Sequence, residues 1–332
     1  MAQRYAIWQE FCKLAAEMKK THLFILALSL VLAACTKPKG YGDLSISIDY
    51  SINDKPLITD SLCYTNEAGN EFMITEIQWF LSQIELQDER GEWFRLDHEN
   101  AQFLVVLPTD WIFYIDTNIP ESQILRILPL PTGKYKTLRF IFGLNEEDNQ
   151  TGLFSDPPEA NMFWPEPLGG GYHYMKLNGK YLDENEQLAP LNIHLGIGQN
   201  AEHTVFCQNY FTVELPIEFT IAENIENQLV LTMIVDNWFR NPNTVDFNEW
   251  GSAIMQNQAA QQALKENGND VFRISQNTEK QNNISMKEDK TLWGKFSETM
   301  QKAAPKPHFW TWENVKERIG SPVGTAENKQ AV

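Results

Sequence analysis

Between Leu44 and Ile52 the chain alternates strictly, with Leu44, Ile46, Ile48, Tyr50 and Ile52 apolar and Ser45, Ser47, Asp49 and Ser51 polar between them. Successive side chains of a strand point to opposite faces, so a period of two specifies a β-strand with one buried and one wetted face. The same character recurs downstream. Phe72 to Thr75 and Ile77 to Leu86 follow a turn at Glu67 to Asn70, and Asp88-Glu89-Arg90-Gly91 turns into Trp93 to Leu96. Ala101 to Leu107, Ile124 to Leu130, Tyr135 to Gly143, His203 to Ile221 and Gln228 to Val235 continue the pattern. The apolar phase slips between Leu81 and Ile84, which marks a β-bulge or a single helical turn. With turns about every ten residues and no long helical periodicity, the chain is predicted to be all-β, an antiparallel β-sandwich. Ser252 to Asn267 is the one clear helix, with Met255, Ala259 and Ala263 on one line and Gly268 placed to end it.

The front of the chain reads differently. Lys19 and Lys20 precede an apolar run from Leu23 to Ala34 that ends in small residues before Cys35. This is a secretory signal, too short for an ordinary membrane span. Leu32-Ala33-Ala34-Cys35 resembles the bacterial lipoprotein box, so Cys35 is the expected lipidation site. The chain is then expected in the bacterial cell envelope, held to the outer membrane by its lipid because no acidic residue directly follows the cysteine. Export signals begin at the initiator, so residues 1–17 read as a mis-start or an extension. The divisions that follow are a signal peptide at 18–35, a tether at 36–43, the sandwich domain at 44–274 and a flexible, partly helical tail at 275–332. Ser275 to Lys290 is too rich in Asn, Gln, Glu and Lys to bury an apolar face. Cys12 lies ahead of the signal, which leaves Cys63 and Cys207 as the candidate disulfide pair of an exported body.

A formal charge of −17 argues against nucleic acid, whose phosphates need a clustered basic surface. Gly-x-Ser-x-Gly, P-loop, dinucleotide, Cys-x-x-Cys and His-Glu-x-x-His patterns are all missing from the sequence, so no catalytic residue is assigned and the chain is expected not to be an enzyme. Glu146, Glu147 and Asp148 lack EF-hand spacing and read as a solvated loop. The chemically dense stretch is Asn161 to Gly179, which holds Trp164, Gly169-Gly170-Gly171 and a β-prone run through His173 and Met175 into Asn178-Gly179, a turn signal. Strand phase puts His173, Met175 and Leu177 on one side. His194 lies in a second strand-like segment, Leu191 to Gly196. Two strand histidines and a thioether are a minimal soft-metal set, because neutral imidazole suits copper or zinc and thioether sulfur selects Cu(I). The same two histidines also read as ordinary strand residues bonded to their neighbours, and spacing alone leaves both readings open.

Several motifs in order resemble the MbnP-like copper-binding proteins. They are the lipoprotein box, Ser45-Ile46-Ser47-Ile48-Asp49-Tyr50, Tyr64 to Asn70 leading into Ile74 to Leu86, and Phe140-Ile141-Phe142-Gly143-Leu144-Asn145. Met162-Phe163-Trp164 with Gly171 to Gly179, Ile193-His194-Leu195-Gly196 and Asp236-Asn237-Trp238-Phe239 complete the series, which runs from about Leu44 to Ile274. The resemblance implies a bound copper ion, Cu(I), with His173 and His194 as ligands and Trp164 as a candidate for oxidation to kynurenine. Met175 joins the expected site through its strand phase. It further implies a role in copper acquisition or handling and a di-haem cytochrome c peroxidase-type enzyme as partner. The alternative is a surface lipoprotein module that binds glycan or protein without metal.

Overall fold

A computed structural model of the chain describes residues 40–95, 111–200, 204–223 and 225–276. The expected signal peptide, Cys35, the Ala101 to Leu107 strand, His203 and residues 277–332 of the expected tail lie outside the described residues.

The alternating run at the start becomes β1 (Tyr41–Ile52), followed by the short β2 (Lys55–Pro56) and β3 (Tyr64–Thr65). β4 (Glu71–Asp88) is the long central strand, followed by β5 (Trp93–Arg95), β6 (Ile112–Asp116), β7 (Ile124–Pro131) and β8 (Gly133–Phe142). The site is carried by β9 (Met175–Leu182) and β10 (Leu188–Leu195). Then come β11 (Gly198–Gln199), β12 (Phe206–Cys207), β13 (Phe211–Ile221), β14 (Glu226–Ile234), α1 (Phe247–Trp250), α2 (Gln258–Asn267) and β15 (Phe272–Gln276).

The strands form two main sheets. One runs β15-β14-β1, with β2 and β7 also pairing β1; the other runs β10-β9-β4-β8-β13, with β3, β5 and β6 also on β4. Trp79 and Phe142 of the second sheet meet Phe272 of the first at ring separations of 5.4 and 6.0 Å, and Trp79 Nε1 donates to the Tyr50 hydroxyl at 3.0 Å. Apolar faces from both sheets therefore close on one core, the sandwich predicted from the period of two. One pair departs from the antiparallel rule. β1 and β14 run parallel, in register from Asp43 opposite Glu226 to Ser51 opposite Ile234. Alternation within a strand encodes which face is buried and carries no information about the direction of its neighbour.

Local corrections follow from packing. The phase slip in β4 is a bulge, with Gln83 at φ 51° and the pairing to β8 shifting between Ser82 and Glu85. Asn178-Gly179 is no turn: both residues lie inside β9, and the chain reverses at Asp183 to Gln187, where the Asp183 carboxylate accepts from the Asn185 and Gln187 amides at 2.8 Å. Gly179 is glycine for a different reason, since a Cβ there would stand 2.1 Å from the Met73 carbonyl oxygen where β4 crowds against β9. α2 starts at Gln258 and not at Ser252, because the Asn257 side chain caps it by accepting from the Ala260 amide at 3.1 Å. The candidate disulfide is not formed, and Cys63 and Cys207 are free thiols. Cys63 precedes β3 at the Phe72 end of β4, whereas Cys207 pairs Gly198 beyond the Trp79 end. Seven residues of extended strand, roughly 23 Å, separate those ends, far beyond the Cα spacing a disulfide tolerates.

Candidate metal centre

The centre is built where β9 begins. Phe80 of β4 donates its amide to the Tyr174 carbonyl at 3.0 Å and accepts from the Gly143 amide at 2.8 Å, so the approach to β9 and the end of β8 meet at one residue of the same strand. The chain ahead of β9 is bent there and pairs with the loop that precedes it. His173 donates its amide to Met162 O, Trp164 donates its own to Gly171 O at 2.8 Å, and Phe163 bridges Tyr172. Tyr174 N then donates to Leu195 O at 2.7 Å, tying this loop pair to the end of β10.

Those backbone bonds bring three rings together. The His173 imidazole lies edge-to-face with Trp164 at 4.6 Å and edge-to-face with His194 at 5.2 Å. Trp164 is wholly buried and His173 nearly so, while His194 is half-buried. Gly196, two residues after His194, makes room for the indole: a Cβ at that position would come 2.6 Å from Trp164 Cε3. The Trp164 N–H is satisfied by Leu168 O at 3.2 Å, and Gln261 of α2 holds the Gly196 amide at 3.1 Å.

Three of the four expected metal residues are thus neighbours, and the fourth is not. Met175 pairs across the ladder with Leu195 and Trp79, whereas His194 pairs with Lys176. Directly paired residues share a face, so Met175 belongs to the core side and His194 to the opposite one. The expected common side for His173 and Met175 fails because the bend at Tyr174 interrupts the strand between them, and phase does not carry through an irregular residue.

Each imidazole has one nitrogen engaged by an acceptor. His173 Nδ1 lies 2.9 Å from Met162 O, and His194 Nε2 lies 2.8 Å from Asn178 Oδ1. A carbonyl only accepts, so the engaged nitrogen of His173 carries the proton and Nε2 keeps its lone pair. Burial, reinforced by the nearby Lys176 ammonium, pushes His173 down to about 3 and His194 down to about 4. Both rings are therefore neutral at neutral pH, the form that ligates metal. Lys176 is itself pushed down by burial, and its Nζ donates to Asn161 O at 2.5 Å. Lys176, Asn178 and Glu76 were not singled out from sequence. Reading Asn178 as a turn residue hid it, and treating it as a strand residue two positions from Lys176 would have placed both on the face of His194.

Among the described residues no group of three or more His, Cys, Asp or Glu is placed to hold a metal. Closed four-ligand zinc sites are built from such groups, so the donor set here suits an ion content with few ligands. Soft Cu(I) with imidazole donors fits it. Asp148 of the acidic loop accepts from Gln83 Nε2 at 2.8 Å, and Glu146 accepts from Gln208 at 3.2 Å, so that loop is spent on hydrogen bonds.

The family model described as MbnP matches residues 41–261, a span that holds β1 to β14 and all three rings. The chain belongs to the MbnP family. The MbnP family is associated with copper and methanobactin. A solved structure, MbnP from Methylosinus trichosporium, is similar at 11% identity and a TM-score of 0.44, over 72% of this chain and 100% of that one. No curated protein matches this MbnP-family chain.

Proposed function

We propose that this MbnP-family protein binds one Cu(I) ion through His173 and His194, and that it does so as a lipid-anchored protein of the bacterial cell envelope that acquires or handles copper. The observation that carries the reading is the ring cluster: two neutral imidazoles 5.2 Å apart, each with one nitrogen held by a protein acceptor, beside a buried indole. Outer acceptors of this kind fix the orientation of histidine ligands and raise their basicity. Cu(I) would sit against the free nitrogens of the two rings, and its contribution is soft, low-coordinate binding without turnover of a substrate. The chain's own residues bury His173, half-bury His194, keep both rings unprotonated and present them from β10 and from the loop pair ahead of β9. Trp164, in contact with His173, is the residue we assign to oxidation to kynurenine, with a di-haem cytochrome c peroxidase-type enzyme as the partner that performs it. The segment from Lys19 to Cys35 supports export and lipidation at Cys35.

Competitive titration with a chromophoric Cu(I) chelator tests the site. His173→Ala and His194→Ala are each expected to weaken Cu(I) binding at least ~100-fold, since a two-imidazole site keeps a single ligand. Met175→Leu is expected to leave affinity unchanged, because that thioether faces the core. Unaltered titration of either histidine variant sinks the copper reading and returns the domain to a metal-free surface module.

A further inference from the structure

The half-buried polar groups beside His194 form a chain that ends at the protein surface. Asn178 presents Oδ1 to His194 Nε2 at 2.8 Å and Nδ2 to Glu76 Oε2 at 3.2 Å, while Asn118 Nδ2 donates to Glu76 Oε1 at 2.9 Å. The sheet itself sets this row, because Asn178 pairs directly with Glu76 on β4 and lies diagonal to His194 on β10. The direction of every bond follows from one member. A carboxylate accepts only, so Glu76 compels Asn178 to turn its NH2 outward and its carbonyl toward His194. That carbonyl in turn demands a proton on His194 Nε2 and leaves the lone pair on Nδ1. The indole-side ring has the opposite arrangement, with its Nδ1 bound to Met162 O, which leaves the lone pair on Nε2.

We propose that Asn178 and Glu76 are positioning residues that lock His194 as the Nε2–H tautomer, so that the two imidazoles offer unlike nitrogens, Nδ1 of His194 and Nε2 of His173, to a shared ion. The metal half of this statement rests on the copper reading above; the tautomer half does not. An amide in place of the Glu76 carboxylate removes the directionality. Gln at that position can donate to Asn178 Oδ1, which frees Asn178 to flip and donate to His194 Nε2, and the ring proton then moves to Nδ1. No atom outside the row has to shift, since glutamine keeps the size of glutamate and Asn118 is exposed and free to turn.

The test uses the full chain, labelled with 15N-histidine and free of metal, at neutral pH, where long-range 1H–15N spectra separate the two neutral tautomers of each ring. The parent is expected to show His194 as a single Nε2–H tautomer and His173 as Nδ1–H. In Glu76→Gln the His194 signals are expected to move toward the Nδ1–H pattern while His173 stays unchanged, and Asn178→Leu, which neither donates nor accepts, should leave His194 as a mixture of the two tautomers. Cu(I) affinity of Glu76→Gln is expected to fall ~10-fold or more, as losses of outer-shell partners do. An Nδ1–H tautomer in the parent, or a single Nε2–H tautomer retained in Glu76→Gln, overturns the lock. If the parent shows the locked tautomer and binds no Cu(I), the lock stands and the copper reading falls. Should Asn178→Leu fail to fold, Glu76→Gln alone decides, because it adds no volume and buries no new group.

Discussion

The two faces of the β9–β10 ribbon are made by the same strands and obey opposite rules. On the inner face Met175, Leu177, Ile193 and Leu195 are all completely buried, and beyond them Trp79 stacks on Phe142 at 5.9 Å while Phe142 stacks on Phe211 at 4.9 Å. Each ring there touches several others, so packing energy is spread over many contacts. On the outer face His194, Lys176 and Asn178 are half-buried, and the orientation of each rests on one or two hydrogen bonds. The difference teaches where stability and specificity are kept apart in this fold. Damage inside should unfold the domain, and damage outside should spare the fold and disorient the rings.

Truncating the interior should give the largest effect. Phe142→Ala removes a fully buried ring with four aromatic neighbours and is expected to cost about 3–5 kcal/mol in urea unfolding, enough to unfold a marginal domain. A loss below about 1 kcal/mol would show that the interior is not shared in this way.

Acid should strike the outer face instead. With the folded values of His173 and His194 depressed to about 3 and about 4, the unfolded chain binds more protons than the native one below the ordinary imidazole value of 6.5. Their contribution is thus complete above pH 6.5 and is lost as pH falls toward the folded values, at up to ~1.4 kcal/mol per pH unit for each ring. Denaturant midpoints of the parent and of a His173→Ala/His194→Ala double variant should therefore converge between pH 6.5 and about 4. Parallel curves would mean that the rings titrate normally.

Gly196→Ala probes the seam between the faces. The added methyl meets Trp164 at 2.6 Å, and such overpacking costs about 1–3 kcal/mol. Its signature should be a changed Trp164 environment in fluorescence and weakened Cu(I) binding. The smallest effect is expected at the cysteines, where Cys63→Ser/Cys207→Ser should shift stability by less than about 0.5 kcal/mol because no bond is lost. A larger drop that reducing agent reproduces in the parent would restore the disulfide.

Much of this architecture was legible in one dimension. Alternation at Leu44 to Ile52 and the phase slip near Gln83 encode local backbone and burial, which depend on neighbours along the chain; the first predicted its strand, and the second marked a bulge or a helical turn, of which the fold has the bulge. His173, His194 and Trp164 could be named as a group from their residue types and their resemblance to the MbnP motifs, and the fold brings their rings into contact. The sequence by itself therefore determined the all-β class and the identity of the rings, because both are properties of short segments. Tertiary structure alone decided that β14 runs parallel to β1, that Met175 turns to the core and that Asn178 leaves the supposed turn to hold His194. Strand direction, register and the phase across a bend are set by partners far away in the chain, and a one-residue slip reverses the face of every side chain that follows.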